Sequence, residues 1–324
     1  MTVRVSTDWK FRDIDTVILE NDLLRVVIMP DLGAKIWQLT YKPKGKDLLW
    51  HNPRLKPRKL PFHSIYDDTF FGGWDELYPN DTPEELNGEA EPDHGEIWTL
   101  PWEYAIEKVS DGEATIHLWV ETPISASKVE KWIVLRSGET KLHFHHRIMN
   151  TGQMDQPFLW KLHPAIAIDE SCRIELGAKT MHIEDFGPPR GGRTGISYQW
   201  PYLTDEGGEQ HDMRLVPSRT ARINEFQYAT EMSAGWCAVT FPRDHIGFAL
   251  TFDLDVLSSC WLFATYGGWR DLYTVILEPC TGYPVSVNEG VSQRTHKVLK
   301  AGEVLECDVT AVVFEGTSAE DALG

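Results

Sequence analysis

Apolar residues recur along this chain in short alternating or paired runs, the period of strands rather than of helices. Between residues 15 and 29, Val17, Ile18 and Leu19 are followed, across Asn21-Asp22, by Leu23, Leu24, Val26, Val27 and Ile28. That pattern predicts a hairpin. Pro30-Asp31-Leu32-Gly33 predicts a turn, and Lys35 to Tyr41 the next strand. Comparable short strands are predicted over 103–109, 113–122, 127–136, 140–149, 157–168, 173–177, 236–241, 246–253, 259–265, 273–278 and 304–314. Helical patterns are scarce; Thr82 as N-cap and Pro83 at the first helical position predict one turn over 82–86. Many short strands divided by Gly, Pro and Asp turns predict an all-β sandwich or barrel. Two stretches, 51–101 and 178–225, break the rhythm with Pro, Gly and charge. Loops of that length are uncommon unless they serve a function.

The 324 residues contain no low-complexity linker and no internal repeat, so one domain over 1–324 is expected. A formal charge of -18, spread along the chain, repels phosphate backbones and anionic lipid. Nucleic acid and membrane are therefore poor partners. The five cysteines form no CxxC pair, which argues against a disulfide framework or a zinc knuckle. The N-terminal MTVRVSTDWKFRD lacks the apolar core of a signal peptide, and no apolar run reaches the length of a membrane span. A reducing cytoplasm fits these features. Thirteen tryptophans are many for this length, and indole is a favoured platform for the apolar face of a sugar ring.

Four segments carry candidate chemistry. In Phe158-Leu-Trp-Lys-Leu-His-Pro-Ala-Ile-Ala-Ile168, strand alternation puts Lys161 and His163 on one face with small Ala165 and Ala167. Trp160, Leu162, Ile166 and Ile168 take the other, core-forming face. A small-residue face bearing a titratable pair suits a groove floor. In Tyr273-Thr-Val-Ile-Leu-Glu-Pro279, Glu278 ends an apolar run beside a bend. Partial burial there would raise its pKa and suit a general base. Pro92-Asp-His-Gly-Glu-Ile-Trp98 places His94 next to a glycine inside the first long loop. Phe70-Phe-Gly-Gly-Trp-Asp-Glu-Leu-Tyr-Pro79 sets Trp74 beside Asp75 and Glu76, a stacking face next to hydrogen-bond acceptors. Gly267-Gly268-Trp269-Arg270-Asp271 repeats that idea.

Metal and nucleophile chemistry find less support. His143 and His145 share a strand face, but no carboxylate follows them at ligand spacing, and Lys141 and Arg147 on the same face would repel a cation. They are expected to be surface residues, with no metal. No nucleophile elbow, P-loop or dinucleotide glycine pattern occurs.

On these residues the chain resembles the aldose 1-epimerase, or galactose mutarotase-like, superfamily, over roughly residues 15–315. Leu19-Glu-Asn-Asp-Leu-Leu-Arg-Val-Val-Ile-Met-Pro-Asp-Leu-Gly-Ala-Lys-Ile36 is similar to the family's first hairpin. His94-Gly95, His163 before Pro164, and Glu278 in Leu-Glu-Pro follow in the family's order. The resemblance implies a large twisted antiparallel β-sandwich with long loops over a concave sugar cleft. It implies a monosaccharide or small glycoside as partner and no cofactor. It also implies roles: Glu278 takes the proton of the anomeric hydroxyl, His163 protonates the ring oxygen, and His94 hydrogen-bonds near it. Trp74, Asp75, Glu76, Lys161, Trp269 and Arg270 are then candidate sugar contacts. Where familiar members carry an Asn-Arg element, this chain has Gly-Gly-Trp-Asp-Glu, which marks a divergent branch.

Three functions remain open at this point: an anomer-interconverting enzyme, a non-catalytic sugar binder, and a lyase or hydrolase of a modified sugar or glycoside. Arg190, Arg193, Arg219 and Arg222 fall together in the second long stretch and leave a sugar phosphate open as ligand. A solvated loop that happens to be basic is the favoured reading of them.

Overall fold

The strand period carries through to the tertiary structure, a computed structural model that describes residues 2–323. The predicted hairpin forms from Val17–Glu20 and Leu24–Met29, with Asn21 closing it by accepting from the amides of Leu23 and Leu24. One antiparallel series then runs Glu113–Glu121, Ser127–Arg136, Lys141–Asn150, Val304–Glu315, Ile246–Phe252 and Ile223–Phe241. From there the sheet continues through Ser259–Tyr266, Tyr273–Cys280, Lys161–Ile166 and Trp74–Leu77.

The two layers join along one strand. Ile223–Phe241 spans 19 residues, pairing with Ser259–Tyr266 over its first part and with Ile246–Phe252 over its last. At the changeover, Gly235 packs so closely that a Cβ there would lie 2.0 Å from the Phe252 carbonyl oxygen, a position only glycine can hold. The layers close over one apolar cluster that includes Val26, Ile28, Trp74, Phe144, Trp160, Leu162, Ile174, Phe248, Leu277 and Val309. Strand alternation sends these side chains inward and leaves the other faces for solvent or for a site.

Several boundaries differ from the expectation. The run over 157–168 is two strands, Gln156–Phe158 and Lys161–Ile166, which pair with different partners. The predicted helical turn over 82–86 is instead the strand Glu84–Leu86, hairpinned to Glu89–Glu91. Asn87 and Gly88 between them both have positive φ, 55° and 84°. That Asn-Gly pair is a two-residue hairpin turn and outweighs the weak N-cap signal. The stretch 178–225 is not one loop: Arg173–Ile183 runs well into it, and Ile196–Gln199, Tyr202–Thr204 and Gln210–Asp212 follow. Helix Val287–Gln293 was not anticipated; Glu84 accepts from its Val287 and Asn288 amides, and Ser286 caps it.

All five cysteines are buried thiols. Among the described residues no helix is long and apolar enough to cross a membrane.

Candidate functional site

Two neighbouring strands build the floor. On Lys161–Ile166, Lys161 and His163 project to the same side, and Ala165 faces Ile276 of the next strand. On Tyr273–Cys280, Ile276 and Glu278 project to that side too. Phe226 and Phe263, paired in register on the adjacent strands, extend the surface as an aromatic wall with Phe186 and Trp269. The first long loop supplies the opposite wall through Tyr66, Phe70, Asp81, Asp93 and His94. The result is a cleft of about 350 Å³, within the range of small-ligand pockets.

His94 reaches the cleft through an unusual backbone. His94 and Gly95 are both left-handed, with φ of 59° and 76°, and a Cβ on residue 95 would meet the Tyr78 carbonyl oxygen at 2.2 Å. Glycine is therefore required after this histidine for a steric reason. The His94 amide donates to the Asp81 carbonyl at 2.7 Å, its Nδ1 lies 2.9 Å from Asp93 Oδ1, and its ring stacks on Tyr66 at 4.3 Å.

The three residues expected to act together converge. His163 Nε2 lies 3.9 Å from Glu278 Oε2, and the rings of His94 and His163 are 6.4 Å apart. Lys161 Nζ sits between Glu278 Oε2 at 2.5 Å and Asp81 Oδ1 at 2.6 Å, over the Trp261 ring at 4.2 Å. Asp81 in turn faces His94 Nε2 at 3.7 Å.

Their charge states follow from these neighbours. Burial pushes the Glu278 carboxyl above its ordinary value, Lys161 opposes the rise, and the charge of Asp81 adds to it. Burial also drives His163 well below the ordinary imidazole value, reinforced by Lys161, His94 and Lys35, so this ring is neutral. His94 goes the other way. Burial alone would lower it, but Asp81 and Asp93 more than compensate, and its pKa is raised. For Lys161, burial is likewise outweighed by its two carboxylates, which hold it protonated.

A buried relay fixes the tautomer of His163. Asp75 is the counter-ion of Lys35 at 2.5 Å and accepts the Tyr66 hydroxyl proton at 2.8 Å. The Tyr66 oxygen, its one proton committed to Asp75, accepts from His163 Nδ1 at 3.1 Å. The proton is therefore on Nδ1, and Nε2 presents a lone pair towards the cleft.

Four of the expected sugar contacts lie elsewhere. Register pairs Asp75 with His163 and Leu77 with Lys161, which leaves Trp74 and Glu76 on the opposite, interior face. Trp74 packs against Phe144 between the layers, with ring centroids 5.1 Å apart. Glu76 is a buried ion-pair partner of Lys131 at 2.8 Å and His146 at 3.4 Å. Asp75 stands behind the cleft, in the Tyr66 relay. Arg270 is outside the lining, bound to Asp68 and to the Asp67 carbonyl. Trp269 and Lys161 do line the cleft.

The four arginines do not form a phosphate site. Arg190 is buried on Glu225, Arg193 faces Glu206, and Arg219 and Arg222 both face Asp271. His143 and His145 pair with Glu139 and Asp308, each at 2.8 Å, and are partly exposed, as expected. Among the described residues, one group has His or carboxylate atoms close enough to share a cation: Asp205, Glu209 and His211. It lies outside the cleft lining, and Asp205 already accepts from the Glu209 amide and faces His211.

Tyr66, Asp81 and Asp93 escaped the residue-level reading. The signal for them was coarse: the length of the stretch 51–101 that carries them, which is not one loop but is broken by the strands Trp74–Leu77, Glu84–Leu86 and Glu89–Glu91.

Residues 4–82 match the family described as "Domain of unknown function (DUF5107)". Several solved structures align over nearly the whole chain. A galactose mutarotase-like protein from Clostridium acetobutylicum is 13% identical, covering 97% of this chain and 99% of its own, with a TM-score of 0.70. A galactose mutarotase-like protein from Lactobacillus casei is 14% identical over 92% of this chain and 99% of its own, with a TM-score of 0.62. The Slr1438 protein from Synechocystis is 18% identical over 97% and 99%, with a TM-score of 0.67. Identities this low speak for architecture alone. The chain has the galactose mutarotase-like β-sandwich fold.

Proposed function

We propose that this protein is an aldose 1-epimerase-like enzyme that interconverts the anomers of a monosaccharide by acid–base ring opening. The observation that carries the reading is the meeting of Glu278, His163 and His94 in one aromatic-walled cleft, with their pKa values pushed in different directions. Titratable groups tuned apart by their surroundings are what acid–base chemistry on a hemiacetal needs.

In this reading Glu278 takes the proton from the anomeric hydroxyl. The C1–O1 bond becomes a carbonyl as the bond from C1 to the ring oxygen breaks, and the ring oxygen takes a proton from a histidine. C1 rotates about its bond to C2, and reclosure on the other face returns both protons. The directions of the shifts favour His94 as the proton donor, since its pKa is raised while that of His163 is lowered. Neutral His163, with Nε2 bare, accepts a hydrogen bond from a sugar hydroxyl. This exchanges the roles that the family resemblance implies for the two histidines. Lys161 opposes the rise that burial causes in the Glu278 pKa and so favours its base form.

The test is anomer exchange followed by NMR across free aldoses, with wild type and Glu278→Gln. General acid–base assistance is typically worth about 10²–10⁴ in rate. A loss of that order with binding retained supports the proposal. Turnover within about threefold of wild type would move a non-catalytic sugar binder to the front.

A further inference from the structure

The lining of the cleft is unevenly charged. It carries Asp67, Asp81, Asp93, Glu184, Asp185 and Glu278, against a single Lys or Arg side chain, Lys161. That one cation is already held between Asp81 and Glu278. Asp93 is matched by His94. Among the described residues Asp67 and Asp185 form no ion pair, although both line the opening, and the nearby arginines are paired to Asp68 and Asp271. Glu278 Oε2 and Asp81 Oδ1 both lie against Lys161 Nζ, so the one Lys or Arg of the lining is spent on the buried floor. Among the described residues no Lys or Arg of the lining is left for Asp67 and Asp185. Beside Asp185 stands the face formed by Phe186, Phe226, Phe263 and Trp269. Carboxylates next to aromatic faces favour a cation, while a low-dielectric cleft with uncompensated negative charge repels an anion.

We infer that the cleft takes a sugar bearing no negative charge and prefers one carrying an amino group, with the ammonium towards Asp67 and Asp185, and that it rejects phosphorylated and carboxylated sugars. This deepens the proposed function by naming the substrate class, and rests on the cleft being a sugar site. An ammonium gains both from the free carboxylates and from the ring faces; a hydroxyl gains only hydrogen bonds. A phosphate finds no unpaired Lys or Arg among the described lining residues.

The experiment is binding, measured separately from turnover. The full chain is titrated by calorimetry with gluco-, galacto- and manno-configured hexoses, each as the free sugar, the 2-amino sugar and the 6-phosphate, at low and high salt. The expected result is that, for the configuration that binds, the amino sugar binds at least about tenfold more tightly than the 6-phosphate. The gap narrows as salt screens the opening. Asp67→Asn with Asp185→Asn reduces it by about threefold or more. A 6-phosphate that binds as tightly as the amino sugar overturns the inference, as does a preference untouched by the double substitution. If the amino sugar wins but no sugar shows faster anomer exchange, the epimerase reading fails and this one stands. If exchange is fast and the 6-phosphate is preferred, the reverse holds. If no sugar binds, both fall.

Discussion

The Tyr66 hydroxyl lies 3.1 Å from Nδ1 of His163, and its proton is committed to Asp75 at 2.8 Å, so a residue of the long loop sets the tautomer of a histidine on the cleft floor. Tyr66→Phe removes the acceptor and frees the His163 proton to move to Nε2. The expected outcome is a change of tautomer in the ¹⁵N spectrum of His163 and a fall in kcat of about tenfold, the equivalent of one ordinary hydrogen bond. KM should change much less. An unaltered His163 spectrum would show that Tyr66 only packs.

The pH–rate profile separates the two histidines. His94 has a raised pKa, so it keeps its proton above the ordinary value of 6.5 and loses it as pH rises through the higher value. If it is the donor, kcat declines on that alkaline limb. Glu278, also raised, loses its base form as pH falls towards a value above 4.5, which gives the acid limb. His94→Asn should abolish the alkaline limb and His163→Asn should leave it in place. The opposite result restores the division of labour implied by the family resemblance.

Lys161→Met isolates the buried ion pair. Removing one partner strands Asp81 and Glu278 together with no cation between them, which costs about 3–5 kcal/mol near neutral pH in comparable cases. The sign against pH is fixed by linkage. Without Lys161 the folded-state pKa of Glu278 rises further above 4.5, so the variant binds protons that the unfolded chain does not. Its deficit therefore grows as pH rises through that window and shrinks as pH falls. Denaturant melts at several pH values measure this, and a deficit that shrinks with rising pH would contradict it.

Trp74→Ala tests the placement of this ring in the interior. Trp74 is 2% exposed and packs against Phe144 and Phe248. Truncation should lower stability by about 3–5 kcal/mol through the cavity it leaves. Sugar affinity of the folded fraction should stay within about threefold of wild type. A large loss of affinity without a loss of stability would put the indole back in the cleft.

What the sequence determined by itself is the local pattern. Alternation over Lys161–Ile166 and Tyr273–Cys280 was enough to put Lys161 and His163 on one face and Glu278 on its face with Ile276, because a strand's two-residue period depends only on neighbours along the chain. The hairpin at Asn21 is local in the same way, whereas glycine at 95 is demanded by the Tyr78 carbonyl oxygen, which folding brings to within 2.2 Å of where a Cβ would stand. In Trp74-Asp75-Glu76, by contrast, the alternation was readable, but which face met the cleft was not. The register with Lys161–Ile166 decided that, sending Trp74 and Glu76 inward and Asp75 to the His163 side. The charge states were also beyond a linear reading. Burial, Lys161 and Asp81 govern Glu278, and burial, Lys161, His94 and Lys35 govern His163; of these partners only Lys161 is a neighbour of His163 along the chain. Desolvation and Coulomb interaction depend on distances in space, and only the tertiary structure sets those distances.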